Sequence, residues 1–188
     1  MKKTIVYILF SFMFLFPKIH GQNLVSFFEE HIDFILDANY FIVNGIYSFH
    51  NESNKVINQQ ILFPFADNTT TIDSIRIINL NTNRKVAFNR LEKSVQFSFS
   101  LPPNDTVDVN IFYRQKKSYQ NKYIITSTQS WGKPLKTAVY TLTTEKELKI
   151  KSFTYQPDTL KNINNKKIYF WHKTEFMPQK DFEITLNN

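Results

Sequence analysis

The chain has 188 residues, no cysteine and a formal net charge of +7. The lack of cysteine excludes disulfides and a lipid-modified cysteine, and the length suits one domain whose core is large enough to fold without cross-links. The positive charge is too small for the concentrated basic face of a nucleic-acid-binding protein, so we expect no nucleic-acid partner.

The first 21 residues have the three-part pattern of a secretory signal. Two lysines precede an apolar run over residues 5–16, and the segment ends at Gly21. The run is shorter than the ~20 residues with which a helix crosses a bilayer. We therefore predict cleavage after Gly21, export to the periplasm or the medium, and a single domain over residues 22–188 without a membrane span. Cleavage would lower the net charge to +4.

Residues 28–36 fit two periods. Some of their apolar residues lie at helical spacing, but the segment also alternates apolar with polar residues, as a half-buried strand does. We predict a strand, because no other long segment shows a helical period and an all-β neighbourhood favours another strand.

Further along the chain the dominant pattern is a period of two, which is typical of strands with one buried face. It is clearest over residues 95–101, 107–113 and 182–186, and it predicts eight core residues: Val95, Phe97, Phe99, Val107, Val109, Ile111, Phe182 and Ile184. Runs rich in β-branched and aromatic residues predict further strands over residues 40–50, 75–80, 123–127, 137–143, 148–155 and 168–171.

Turn residues separate these runs, and the polar stretches 114–122 and 161–167 are predicted to be connections. The fold class that follows is all-β: an immunoglobulin-like two-sheet β-sandwich of about ten strands.

The sequence offers no arrangement that dictates a chemistry. The three histidines after the signal are His31, His50 and His172, and none is marked by a neighbouring nucleophile and carboxylate. The only glycines there, Gly45 and Gly132, form neither a nucleophile elbow nor a phosphate-binding loop. We therefore predict a protein that is not an enzyme, with no catalytic residue, no metal site and no cofactor.

Aromatic and basic residues are the candidates for contact with a partner. Trp131 and Lys133 lie in a predicted turn, and Trp171 lies on a strand where it could be either core or an exposed stacking platform. Arg114, Lys116 and Lys117 form a basic stretch that could bind an anionic polymer or keep a strand edge soluble.

Three short phrases carry a resemblance to a known family: residues 44–51 with Asn44-Gly45-Ile46-Tyr47, then Phe63-Pro64-Phe65, then residues 74–77. They resemble the β-sandwich domain that precedes the von Willebrand A domain in inter-α-trypsin inhibitor heavy chains, and similar sandwiches in uncharacterised exported bacterial proteins. The resemblance implies a sandwich fold. It implies no ligand-binding residues, because the Asp-x-Ser-x-Ser metal motif of the inhibitor pattern is missing. The composition also resembles exported proteins of AT-rich bacteria of the Bacteroidota type.

Two classes of function remain open. The leading hypothesis is a secreted or periplasmic non-catalytic module that binds or assembles with another envelope or secreted protein, since sandwiches offer strand edges and end loops to partners. The alternative is a carbohydrate-binding β-sandwich that uses exposed aromatic residues, Trp131 first among them.

Overall fold

The computed structural model describes residues 24–67 and 71–187. The predicted signal segment 1–21 and its cleavage site lie outside these residues. The described residues form fourteen strands and one short 3-10 helix: β1 (Val25–Leu36), β2 (Tyr40–Asn51), β3 (Ile57–Pro64), β4 (Ile72–Asn79), β5 (Arg84–Lys85), β6 (Phe88–Arg90), β7 (Ser94–Leu101), β8 (Thr106–Lys116), β9 (Gln120–Tyr123), the 3-10 helix (Thr126–Trp131), β10 (Leu135–Glu145), β11 (Ile150–Phe153), β12 (Thr159–Ile163), β13 (Lys166–Phe176) and β14 (Phe182–Leu186). Within these ranges no helix is long and apolar enough to cross a membrane.

One layer of the molecule is a single eight-stranded sheet in the order β12-β13-β10-β1-β2-β8-β4-β5. Its neighbouring strands are antiparallel except in the middle, where β1 and β10 run parallel. The second layer consists of two three-stranded sheets, β3-β7-β6 and β11-β14-β9.

Both small sheets cover the same face of the large sheet. Tyr47 of β2 meets both: its ring centroid lies 5.5 Å from that of Phe63 on β3, and its hydroxyl lies 2.8 Å from the hydroxyl of Tyr123 on β9. The predicted all-β sandwich is therefore confirmed. The number of strands is fourteen rather than ten, and one of the two layers is divided into two sheets.

In most strands every second residue points between the layers, and these residues form the core. All eight predicted core residues are buried, none with more than 6% of its surface exposed. Large rings fill much of the space, and they stack or meet edge to face across the layers, as Phe34 does with Phe182 at a centroid distance of 5.0 Å.

Residues 28–36 are part of β1, as predicted, and a β-bulge explains why their pattern is mixed. Phe27 pairs with Phe49 of β2 and Glu29 pairs with Ser48, so Phe28 is an extra residue in the ladder. The bulge shifts the phase by one residue, and the inward series therefore runs from Phe27 to Glu30 and then to Ile32.

Two predicted strands are wrong in part. Over residues 123–127 the strand β9 ends at Tyr123, and residues 126–131 form the 3-10 helix, which ends at Gly132 in the left-handed conformation with φ of 72°. Of the strand predicted over residues 148–155, only β11 (Ile150–Phe153) is present. Both segments have the aromatic and β-branched residues that favour a strand, but the chain must turn there to leave one layer for the other.

The two predicted connections are also shorter than expected. Residues 161–167 form the tip of the β12–β13 hairpin, where Asn164 and Asn165 both have positive φ, as the two-residue type I′ turn requires. Within residues 114–122 the strand β8 continues to Lys116 and β9 begins at Gln120. Strand β12 was missed because it is fully exposed, so no buried face marks it in the sequence.

Candidate functional site

A cleft of about 640 Å³ opens in the divided layer, between strand β3 and the segment around the 3-10 helix. Its volume lies within the range of ~300–1,000 Å³ that is usual for small-molecule sites. Strands β1 and β2 of the large sheet form its floor. The lining residues are Leu24, Val25, Phe27, Glu30, Tyr47, Phe49, Ile57, residues 59–64, Tyr123, Ile124, Ser127, Thr128, Ser130 and Trp131.

Six aromatic rings line the cleft: Phe27, Tyr47, Phe49, Phe63, Tyr123 and Trp131. The rings support one another. The Trp131 ring centroid lies 5.4 Å from that of Phe49 and 6.0 Å from that of Phe27, and the Phe27 and Phe49 rings stack at 5.2 Å. These contacts hold the partly buried indole against the floor of the cleft as its side wall.

Glu30 is the single charged residue among the described residues that line the cleft. The β1 bulge turns its side chain into the core, where only 2% of the residue is exposed. The Tyr140 hydroxyl donates a hydrogen bond to its carboxyl. Burial raises the pKa of Glu30 from its ordinary value of 4.5 to about 7, and the Tyr140 hydrogen bond opposes part of that rise.

Two tyrosine hydroxyls stand beside Glu30 and share one hydrogen bond, since those of Tyr47 and Tyr123 are 2.8 Å apart. Burial raises the pKa of both hydroxyls well above the ordinary value, and the charge of Glu30 adds to the effect. Both remain neutral hydrogen-bonding groups. Gly45 makes room for this arrangement, because a Cβ atom there would stand 2.5 Å from the Tyr47 hydroxyl.

The predicted contact residues lie in different parts of the structure. Trp131 borders the cleft, whereas neighbouring Lys133 does not border it and pairs instead with Glu52, its Nζ lying 2.8 Å from Oε1. Trp171 is 1% exposed, and its indole N–H donates to the carbonyl of Tyr155. The core interpretation of Trp171 is therefore correct, and its candidacy as a surface contact is wrong.

The basic candidates lie on the outer face of the large sheet, away from the cleft. Arg114 alternates with inward-facing Tyr113, and its guanidinium bonds to Asp73 with Nε 2.7 Å from Oδ1. The same group lies 4.5 Å from the Tyr40 ring centroid. Arg114 is thus held by its neighbours on the sheet, while Lys116 is exposed and Lys117 is half-buried at the end of β8. These residues form no common site with Trp131.

Within residues 24–67 and 71–187 no group of three or more histidine, aspartate or glutamate residues is placed to hold a metal ion. His31 lies 3.5 Å from Asp33, and His50 lies 3.2 Å from the Thr106 hydroxyl. Neither pair borders the cleft.

Sequence reasoning missed Glu30 entirely. The alternation over residues 28–36 has Phe28, Ile32, Phe34 and Leu36 on one face, and position 30 falls on that same apolar face. Glu30 was nevertheless not predicted to be buried, because acidic residues are rarely found in a core. The bulge itself removes Phe28 from the inward series, and no glycine or proline marks it in the sequence.

The comparisons with known proteins bear on the fold. The sequence matches no protein-family model, and no curated protein matches it. The structure resembles that of a candidate nutrient-binding protein from Legionella pneumophila with a TM-score of 0.67 and 13% identity, over 88% of this chain and 67% of the other. It also resembles an M1 zinc metallopeptidase from Deinococcus radiodurans, with a TM-score of 0.53 and 8% identity, and native yeast LTA4 hydrolase, with a TM-score of 0.51 and 9% identity.

The chain spans 43% of the metallopeptidase and 29% of the hydrolase, which is less than half of either protein. At these identities the likenesses show a shared all-β fold and nothing of the function. The resemblance to inter-α-trypsin inhibitor heavy chains is not tested by these structures and stays a prediction.

Proposed function

We propose that this protein is an exported, non-catalytic binding module that holds a small ligand in the cleft between β3 and the 3-10 helix. The cleft carries the proposal. It joins six aromatic side chains to a few convergent polar groups, which is the usual composition of a small-molecule site. Export rests on the signal pattern of residues 1–21.

The architecture supports a binding role over catalysis. The polar groups of the cleft are one carboxyl, three hydroxyl-bearing residues of the helix segment, the glutamines of β3 and two neutral tyrosines. A carboxyl with a raised pKa is a common acid or base in enzymes, but the described residues that line the cleft include no histidine and no second carboxyl.

The test uses Trp131 as the reporter. In Trp171→Phe the emission comes from Trp131 alone, and we expect a saturable change when one compound from a panel of small anionic, neutral and cationic metabolites is added. Gln59→Phe should abolish the response, because Gln59 lines the cleft and the larger ring fills it. The matched control is Asn58→Phe, which points to the other side of the same strand and should keep the response.

The outcomes separate the alternatives. If no compound gives a saturable change, the small-ligand proposal is wrong. Conversion of any bound compound into a product would contradict the non-catalytic part. Soluble oligosaccharides belong in the panel because the partly buried Trp131 is the remaining aromatic candidate of the carbohydrate hypothesis. A response to oligosaccharides alone would favour that hypothesis.

A further inference from the structure

We infer that the cleft binds a small organic ammonium ion, with its charged nitrogen at Glu30 and its apolar part against the rings of Phe27, Phe49 and Trp131. This inference rests on the proposed binding function and names the chemical class of its ligand.

The charges that line the cleft favour a cation. Glu30 is the single ionisable acid among the described lining residues, and none of them is a lysine, arginine or histidine. An anion would meet the carboxyl and no positive group. A neutral apolar ligand would leave the carboxyl protonated and gain nothing from its charge, whereas a cation pairs with the ionised form.

The aromatic lining favours the same class. The face of each ring carries partial negative charge and attracts a cation within about 6 Å of its centroid. The six rings belong to the floor and to both walls, so a cation at the floor would have rings on several sides. An apolar substituent on the nitrogen would remain in contact with the same rings and lose its exposure to water.

Hydrogen bonding at Glu30 leaves room for the ammonium group. Tyr140 donates to one carboxyl oxygen, and no donor to the other oxygen is found among the described residues. The hydroxyl oxygens of Tyr47 and Tyr123 share a single hydrogen bond, so they retain lone pairs that can accept from a second N–H. An ammonium ion supplies the donors that these acceptors lack.

Binding should be coupled to the ionisation of Glu30. The titratable groups that face its carboxyl are Tyr140 from β10, Tyr47 from β2 and Tyr123 from β9, and all three remain neutral at physiological pH. A cation prefers the ionised carboxyl, so its binding releases the proton that the empty site holds. Affinity should therefore rise with pH until Glu30 is fully ionised.

The test compares three probes of nearly equal shape: phenethylammonium, neutral 2-phenylethanol and anionic 3-phenylpropanoate. Binding is measured in Trp171→Phe by Trp131 fluorescence and in the unaltered protein by isothermal titration calorimetry. We expect phenethylammonium to bind most tightly, and about tenfold more tightly at pH 8 than at pH 6, because the ionised fraction of a carboxyl with a pKa of about 7 rises by about that factor.

Glu30→Gln supplies the decisive variant. It keeps an acceptor for Tyr140 but removes the charge, so phenethylammonium binding should weaken at least about tenfold at pH 8 and lose its pH dependence. Glu29→Gln, one residue away and outside the cleft lining, should change neither.

Two results would overturn the inference while leaving the proposed function intact: tighter binding of 2-phenylethanol or 3-phenylpropanoate than of the ammonium probe, or unchanged ammonium binding in Glu30→Gln. If none of the three probes binds, the ammonium inference is wrong, and the broader metabolite panel alone decides the proposed function.

Discussion

Glu30 lies in the core because β1 has one more residue than β2 over the stretch where they pair. Phe28 occupies the extra position, and every residue after it points to the face opposite to the one that an unbroken alternation would give. An acidic side chain thereby enters a layer built from aromatic rings. The protonation of this carboxyl must therefore influence the stability of the fold.

We predict that the protein is more stable at pH 5 than at pH 8. The folded state raises the pKa of Glu30 from 4.5 to about 7, so it holds the proton more tightly than the unfolded chain does. This contribution is complete below pH 4.5 and is lost as the pH rises through 7, which corresponds to about 3 kcal/mol in the free energy of unfolding. Urea unfolding followed across this range measures the loss.

Glu30→Gln is the control for this pH effect. The amide cannot ionise, so the stability of the variant should be nearly constant between pH 5 and pH 8. The carboxyls of Glu52, Asp73 and Asp158 do not interfere, because their partners lower their pKa values and they stay ionised throughout. An equally steep decline in Glu30→Gln would assign the effect to other groups.

A second prediction at the residue scale concerns Gly45. In Gly45→Ala the new methyl group would stand 2.5 Å from the Tyr47 hydroxyl and 2.7 Å from Cδ1 of Ile32, so the buried tyrosine must move. We expect a loss of about 1–3 kcal/mol in the free energy of unfolding, as for other overpacked cores.

Gly132→Ala is the comparison. Its Cβ would meet nothing within 4 Å, and its only penalty is the positive φ of 72°. We expect a smaller loss, of about 1 kcal/mol, for this strain. Equal losses in the two variants, measured by chemical denaturation, would show that crowding at Tyr47 is not what requires glycine at position 45.

Strand β7 shows how a regular alternation fixes one face of a strand. Phe97 is buried while Ser98 is exposed. We predict that Phe97→Ala lowers the free energy of unfolding by about 3–5 kcal/mol, since a large cavity would remain between the layers. Ser98→Ala should change it by less than about 0.5 kcal/mol. A thermal midpoint unaffected by Phe97→Ala would contradict the burial of this ring.

The β12–β13 hairpin gives a prediction about turn chemistry. Asn165 has φ of 62° at the second turn position, where glycine is the most favourable residue. We expect Asn165→Gly to maintain or slightly raise the thermal midpoint, and Asn165→Val to lower it, because a β-branched residue strongly disfavours positive φ. A midpoint that is higher for valine than for glycine would exclude the type I′ geometry.

Strands that have one buried face and alternate apolar with polar residues without interruption could be predicted from the sequence. Strands that lack a buried face, or that are too short to show an alternation, could not. Strands β7, β8 and β14 alternate without interruption, and their inward residues were predicted correctly. Strand β12 has no buried residue, and β5 and β6 are only two and three residues long, so hydrophobic pattern says nothing about them.

The cleft could not be predicted from the sequence for a related reason. It depends on a bulge, on a gap between two small sheets and on a 3-10 helix where a strand was expected. Trp131 was found because its position in a turn is visible locally. Glu30 was missed although it shares the face of Ile32, Phe34 and Leu36, because an acidic residue is rarely buried.

At the scale of the whole molecule, we predict a single cooperative unfolding transition despite the divided layer. Tyr47 contacts residues of both small sheets, so neither sheet can separate without exposing the same part of the large one. The two tryptophans provide the test, since Trp131 packs on Phe49 and Trp171 packs on Phe182. Trp131→Phe and Trp171→Phe should each unfold in one step. For each variant, the transition followed by fluorescence should coincide with the transition followed by circular dichroism. A difference between the two methods within one variant would show independent units.

The parallel pairing of β1 with β10 constrains the order in which the molecule can assemble. Glu30 and its hydrogen-bond partner Tyr140 are 110 positions apart in the sequence. A chain that emerges amino end first from a ribosome or a translocation channel therefore exposes one edge of β1 until β10, nearly three quarters of the way along the chain, has also emerged. The centre of the large sheet is then completed late, by closing a long loop, and sheets that depend on such distant contacts fold slowly. During that interval the open edge of β1 is a surface on which the unfinished chain can be bound by a chaperone or can aggregate.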